Sequence, residues 1–398
     1  MTVTILCLAS YFKGTTFLQA AKAQGARVLL LTREKIANEP WPRESIDEMF
    51  LMSSLSKQPD VTYAVSYLMR GNKIDRIVPL DDYDVETAAA LREHLRLPGL
   101  GDTLVRHFRD KLAMRGQAAA IGVPVPAFTP VFHYDQLRHF MATVPGPWLL
   151  KPRSEAGAMG IKRINHPDEV WHWLNELGDK QSHFLLEQFL PGEMYHVDSI
   201  VWDGEVVFAT PHKYTRPPLS VSHDGGVFAT RTLPADSDEA QQLLTLNRQL
   251  LPAFGMARGV AHTEFLRAEV NGRFHFIETA ARVGGANIEQ LVEASSGMNL
   301  WGEWAKLEIC HAQGQPYAPP TPLGHYAGVL VCLARQQHPD LSGYQDAEIV
   351  YRVHKEQHAG LVVASPSVAR VEALIYSYAE RFAHDFLAYA PPLDTAPT

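Results

Sequence analysis

Glu264 and Glu278 flank an Asn271-Gly272 dipeptide set between two alternating runs, HTEFLRAEV and RFHFIETAAR. Asn-Gly between such runs is the strongest short-range hairpin signal, so the two carboxylates fall on adjacent antiparallel strands. Aimed at one point, they would hold Mg²⁺, whose hard octahedral shell takes one or two carboxylates together with phosphate oxygens and water. Register opposes this. A strict two-residue turn pairs Glu264 with Thr279 and sends Glu278 to the opposite face. A shared ion therefore requires a three-residue loop or a β-bulge. Without either, these are two exposed acids on a surface hairpin.

Three further segments carry groups suited to a phosphorylated ligand. In LLKPRSEAGAMG, Lys151 ends an apolar run that passes into a small-residue loop containing Ser154, Gly157 and Gly160. Backbone N–H groups of such a loop can meet phosphate oxygens while the lysine supplies a point charge. In FLLEQFLPGE, a strand ends at Glu187, Gln188, Phe189 and Leu190. A strand leaving its sheet there exposes one C=O and one N–H, the edge that reads adenine, with Glu193 or His196 able to take ribose hydroxyls. Arg282 precedes Gly284 and Gly285 and a helix opening at Ile288. This combines a bidentate cation with free N–H groups, a receptor for a carboxylate or a phosphorylated carboxylate. Residues 212–226 (HKYTRPPLSVSHDGG) read as a long polar loop and a candidate substrate lid, from which Lys213 and Arg216 would meet an acidic substrate. Each segment alone is as readily a strand end, a turn or a solvated loop. The sequence has no HExxH, no GxSxG and no cysteine-based motif, so metalloprotease and nucleophile-elbow chemistry are set aside.

The elements that must hold these groups divide in three. A strand over 3–8, a helix over 16–24 and a strand over 28–31 form a β-α-β unit, and the pattern repeats with helices over 63–70 and 85–95 and a strand over 76–80. This is a doubly wound parallel sheet of α/β class over residues 1–100. Its first loop, ASYFKGTT, lacks the GxGxxG dinucleotide fingerprint. A helix over 102–121 and the Pro-rich VPVPAFTP lead into an α+β unit over 101–312, with more antiparallel pairing. Past a Pro-rich linker at 316–322, a small α+β segment (313–398) opens with a strand over 326–333 and closes with a helix over 367–387; the tail PPLDTAPT is expected to be disordered.

At 398 residues with 46% apolar and 20% charged side chains, the chain is a multi-domain globular protein and not a disordered or fibrous one. A net charge of −8 excludes a general pull toward nucleic acid or anionic membrane, so phosphate binding must be local. Three scattered cysteines form no disulfide framework and suit a reducing compartment, with cytoplasmic as the expected location. The N-terminus lacks a basic n-region and no apolar run approaches the roughly 20 residues that span a bilayer, so neither export nor membrane anchoring is expected.

Taken in order, these segments resemble the ATP-grasp superfamily of carboxylate-amine ligases. The resemblance covers roughly residues 1–310 and includes RDKLAMRGQAAAIGVPVP, which is similar to the family's lysine-bearing helix and its Gly-x-Pro-x-Pro lead-in. It implies an ATP-grasp fold, with ATP and Mg²⁺ (or Mn²⁺) as cofactors. Lys111 and Lys151 would contact the α- and β-phosphates, the loop at 154–160 would close over the γ-phosphate, and Glu187, Gln188, Phe189 and Leu190 would bracket adenine. Glu193 or His196 would match the ribose contact, Glu264 and Glu278 the metal ligands, and Arg282 the residue holding the acyl phosphate or substrate carboxylate. One position departs. The family reads Glu-x-Asn-x-Arg at the metal strand, and here the middle residue is Ala280, which cannot ligate. The GG loop and YHVD at 195–198 are most similar to ligases joining amino acids into dipeptides, such as the L-amino acid ligases and the carnosine synthase group. Small-molecule carboxylate and amine partners and a homodimer are what this implies. Other ATP-grasp carboxylate activation, of the purine-pathway or biotin carboxylase kind, and a non-catalytic ATP-binding module stay open.

Overall fold

A computed structural model describes residues 2–390; the expected disordered tail at 391–398 lies outside them. These residues build three β-sheets. The first is parallel, with strands β1 (Thr4–Ala9), β2 (Arg27–Arg33), β3 (Glu48–Met52) and β4 (Arg76–Pro79) in the order β3-β2-β1-β4. β1 and β4 are buried throughout, as expected for a sheet covered on both faces by helices. The edge strand β3 (EMFLM) is mostly half-exposed and has no apolar alternation, which is why sequence periodicity passes over it.

The second sheet is antiparallel, ordered β5-β8-β6-β7 from β5 (Phe128–Pro130), β6 (Trp148–Pro152), β7 (Lys162–Ile164) and β8 (Phe184–Gln188). The third holds eight antiparallel strands, ordered β13-β12-β9-β10-β11-β14-β16-β15. Its members are β9 (Gly192–Trp202), β10 (Glu205–Tyr214), β11 (Phe228–Thr232), β12 (Gly259–Ala268), β13 (Phe274–Ala280), β14 (Tyr326–Leu333), β15 (Ile349–Arg352) and β16 (His358–Ser365). The C-terminal strands continue this sheet directly through the β11–β14 pairing, and the helix Val368–Asp385 covers them.

Two local features position the chemistry. The expected helix over 102–121 breaks at Arg109, because the Asp110 side chain accepts the backbone N–H groups of Leu112 and Ala113 and starts a new helix, Lys111–Ala120. Lys111 thereby sits at the first helical position. The β12–β13 hairpin closes through a four-residue loop, 269–272, with Ala268 N–H bonded to Arg273 O at 2.9 Å. The register then shifts between Glu264 and Phe265. Phe265 faces Phe276 while Glu264 faces Glu278, leaving Ile277 as the extra residue of a bulge. The irregularity the shared-ion geometry requires is therefore present.

The parallel sheet docks on the large sheet through the helix Leu300–Gln313, whose Trp304 packs edge-on to Phe17 with ring centroids 5.6 Å apart. No helix among the described residues is long and apolar enough to cross a membrane.

At the start of β9, a Cβ on Gly192 would lie 2.2 Å from the backbone oxygen of Arg267, so Gly192→Ala must push β9 off β12. Urea unfolding should show a loss of about 1–3 kcal/mol. Gly116→Ala, in an exposed helix position with open space at Cβ, should instead gain about 0.5–1 kcal/mol.

Candidate active site

A cavity of about 740 Å³ opens between the second and third sheets, its lining drawn from residues 111–288. Its walls include Lys111, Glu187, Gln188, Phe189, Leu190, Glu264, Glu278, Arg282 and Gly285, drawn from segments up to about 170 residues apart. Apolar groups from Leu149, Met159, Ile161, Leu190, Met194 and Ile277 line the slot beside the Gln188–Phe189 strand end.

The bulge puts Glu264 and Glu278 directly opposite one another on one wall. Tyr214 on β10 donates its hydroxyl to Glu264 Oε1 at 2.7 Å, and Lys111 Nζ lies 3.1 Å from Glu278 Oε2. Burial alone would raise the Glu278 carboxyl, but the Lys111 charge outweighs it and holds the group below its ordinary range. Two facing carboxylates at a cavity wall suit a hard divalent cation, so the donor set fits Mg²⁺ or Mn²⁺.

Lys151 is buried at the end of β6. Its ammonium pairs with Glu187, which also accepts from Arg115 Nε at 2.6 Å; Arg115 is fully buried and Glu187 is 1% exposed. Burial would raise the Glu187 carboxyl, and the two cations hold it low instead. Burial likewise lowers the Lys151 ammonium against the opposing pull of Glu187. The Glu187 side chain is thus taken up by Lys151 and Arg115, while Gln188, Phe189 and Leu190 line the cavity beyond it.

Arg282 reaches across to the parallel sheet's last loop, where its Nη2 is 3.1 Å from Asp82 Oδ2. Arg109 meets the same carboxylate oxygen at 3.3 Å. Burial would push Asp82 up, yet the Arg282 and Arg109 guanidiniums pull it down to about 2.

Several expected residues lie elsewhere. Gly157 lines the cavity in a left-handed turn at φ +65°, but Ser154 and Gly160 face a smaller neighbouring cleft, and the Ser154 carbonyl is taken by Arg109. Neither ribose candidate reaches the wall. Glu193 points to the opposite face of β9, ion-paired with Lys213 at 2.6 Å. His196 lies wholly buried beneath it, with Nδ1 2.7 Å from Asp198 and Nε2 2.9 Å from Thr230. Lys213 is corrected for the same reason. It is not in a lid loop but inside β10, where strand alternation turns Tyr214 into the cavity and Lys213 away. The rest of that segment includes the short helix Pro218–Asp224, whose first residues line the cavity. Gly284 forms no part of the wall; it packs against Asp198 and His262, while Gly285 does line the cavity.

Sequence reading missed Asp82, Arg109, Arg115, Tyr214 and His262. The HxE spacing of His262 and Glu264 placed both on one strand face, a signal that was available.

The chain matches the sequence model of the ATP-grasp N-terminal domain over residues 18–99. It is 24% identical over 263 residues to the L-arginine-specific L-amino acid ligase of Bacillus subtilis, across 64% of this chain and 62% of that protein. It is 25% identical over 233 residues to a D-alanine–D-alanine ligase B of Pseudomonas syringae pv. tomato, across 52% of this chain and 70% of that one. The chain therefore spans less than two thirds of the length of the Bacillus subtilis relative. Its fold is similar to the crystal structure of L-amino acid ligase from Bacillus licheniformis, with a TM-score of 0.75 over 98% of this chain and 99% of that one, at 16% identity.

Because the folded-state pKa of Asp82 lies below its unfolded value, its ion pairs stabilise the fold above about pH 4 and lose that contribution as pH falls toward 2. Asp82→Asn should cost about 2–3 kcal/mol at pH 7 by urea unfolding, and the gap to wild type should narrow from pH 4 downward.

Proposed function

We propose that this chain, a homologue of the ATP-grasp carboxylate-amine ligases with their fold, is itself an ATP-dependent ligase. It joins amino acids or other small carboxylates and amines through an amide or peptide bond, releasing ADP and phosphate. The observation that carries the reading is the convergence of Lys111, Arg282 and the Glu264–Glu278 pair on one cavity whose far end is an apolar slot beside the Gln188–Phe189 strand end.

In this reading residues 101–312 form the nucleotide-binding unit. The slot takes adenine, with Gln188, Phe189 and Leu190 along its edge, and Lys111 and Lys151 face the α- and β-phosphates. The loop carrying Gly157 closes over the γ-phosphate. Glu264 and Glu278 hold Mg²⁺, which when bound neutralises phosphate charge and polarises the transferred phosphoryl group. Arg282, fixed by Asp82, orients the substrate carboxylate for attack on the γ-phosphorus, giving an acyl phosphate and ADP. The substrate amine then attacks the acyl carbon and phosphate leaves. Catalysis here is positioning and charge neutralisation, and no protein nucleophile is required. Such an enzyme belongs in the cytoplasm, where ATP and free amino acids meet.

Two cations on the cavity wall and one buried behind it are already held by carboxylates: Lys111 by Glu278 and Arg282 by Asp82 on the wall, and Lys151 by Glu187 behind it. These pairs keep the lysines and arginine ordered before a polyanion arrives, so little reorganisation accompanies binding.

A screen of amino-acid pairs for ATP-dependent phosphate release should find at least one stimulating pair; a binding module would release none with any pair. Arg282→Ala should abolish product formation while nucleotide affinity stays within a few-fold of wild type. Loss of nucleotide binding instead would reassign this arginine to the phosphates.

A further inference from the structure

We infer that His262 Nε2 is a third protein ligand for the divalent ion at Glu264 and Glu278, standing in for the side chain that Ala280 lacks. The inference rests on the metal–nucleotide reading above. In the β12–β13 hairpin, the residue directly opposite Ala280 is His262, just as Glu278 is opposite Glu264. All four positions therefore share one face of the sheet, and His262 lines the cavity beside both glutamates. Its Nε2 lies 3.6 Å from Glu264 Oε1. Two atoms bound to one ion at about 2.1 Å each are at most about 4.2 Å apart, so both can reach a common centre.

The ring is also prepared for that role. Its Nδ1 is 2.9 Å from Asp198 Oδ1, and Asp198 is fully buried, its second oxygen held by His196 Nδ1 at 2.7 Å. A carboxylate holding the Nδ1–H fixes the tautomer that turns the Nε2 lone pair toward the cavity, the arrangement that supports metal-ligating histidines. Gly284 leaves space for the pair, since a Cβ there would lie 3.0 Å from His262 Nδ1 and 3.1 Å from Asp198 Oδ1.

His196, Asp198 and His262 also cluster closely enough to suggest a separate ion between them. The existing hydrogen bonds argue against it: Asp198 spends one oxygen on His196 Nδ1 and the other on His262 Nδ1, and His196 Nε2 is engaged by Thr230. Asp198 and His196 are the support, and His262 is the ligand.

An imidazole in place of an amide oxygen moves the site from Mg²⁺ toward Mn²⁺, because nitrogen donors favour transition metals over magnesium. The test is pulsed EPR of Mn²⁺ bound to the full-length protein with ADP, comparing natural-abundance and ¹⁵N-histidine-labelled protein. We expect an echo modulation from a directly bound nitrogen that changes with the label and disappears in His262→Ala. Mn²⁺ affinity in the presence of ADP should fall about ten-fold in Asp198→Asn, which loosens the ring without removing it. The double variant His262→Ala, Ala280→Asn should regain Mn²⁺ affinity without regaining the nitrogen signal. Mn²⁺ bound with ADP but showing no histidine nitrogen, or a signal surviving His262→Ala, would overturn this inference and leave the metal–nucleotide reading standing. Failure of Mn²⁺ to bind with ADP at all would overturn both.

Discussion

Buried charge must be matched, and in this molecule the matching is done both within the second sheet and across the units around the cavity. Glu187 ends β8 in the second sheet, and the cations it neutralises are Lys151 on β6 and Arg115 on a helix that also donates to the Ile277 carbonyl of β13. Asp82 belongs to the parallel sheet's last loop, and it holds Arg109 and Arg282 from the other units. Removing either carboxylate would strand guanidinium or ammonium groups away from water, a penalty of several kcal/mol. The same pairs therefore fix how the three sheets meet and where the cavity's cations point. An acidic protein keeps a locally cationic pocket because two buried carboxylates are each shared by two cations, Asp82 by Arg109 and Arg282 and Glu187 by Arg115 and Lys151.

The large sheet adds the second constraint. One residue of bulge at Ile277 decides whether Glu278 faces Glu264 or the opposite side, and the same pairing brings His262 opposite Ala280. Beneath the glutamates, the face continues as a hydrogen-bonded layer of His196, Asp198 and Thr230, with His212 stacked on His196. The hydrogen bonds among His196, Asp198 and Thr230 rigidify the floor beneath Glu264 and Glu278, while neither ring nitrogen of His212 has a hydrogen-bond partner among the described residues. The floor is built from β9, β10 and β11, interior strands of the sheet.

Much of this was legible in the sequence because the chemistry sits at strand ends and in one hairpin, both local features. The Asn271-Gly272 signal, the parity argument for a bulge and the strand ends at Lys151 and Glu187 follow from periodicity and turn chemistry alone. What escaped is non-local. Arg282 and Asp82 are 200 residues apart, and Arg115 and Glu187 are 72 apart, so no local pattern pairs them. Lys213 was placed in a loop because residues 212–226 are polar and carry Pro217, Pro218, Gly225 and Gly226, yet β10 runs on to Tyr214. His196 was offered to a ribose because its burial depends on β10 and β11 closing over it, which only the sheet order reveals.

The central claim is that a substrate carboxylate is activated by phosphorylation in this cavity. It is tested most directly by following oxygen. Wild-type enzyme would be incubated with ATP, Mg²⁺ and a mixture of amino acids carrying ¹⁸O in their carboxyl groups, and the released phosphate analysed by mass. An acyl phosphate passes one carboxylate oxygen to phosphate, so the account predicts orthophosphate carrying a single ¹⁸O in step with amide formation. Unlabelled phosphate accompanied by amide product would contradict it.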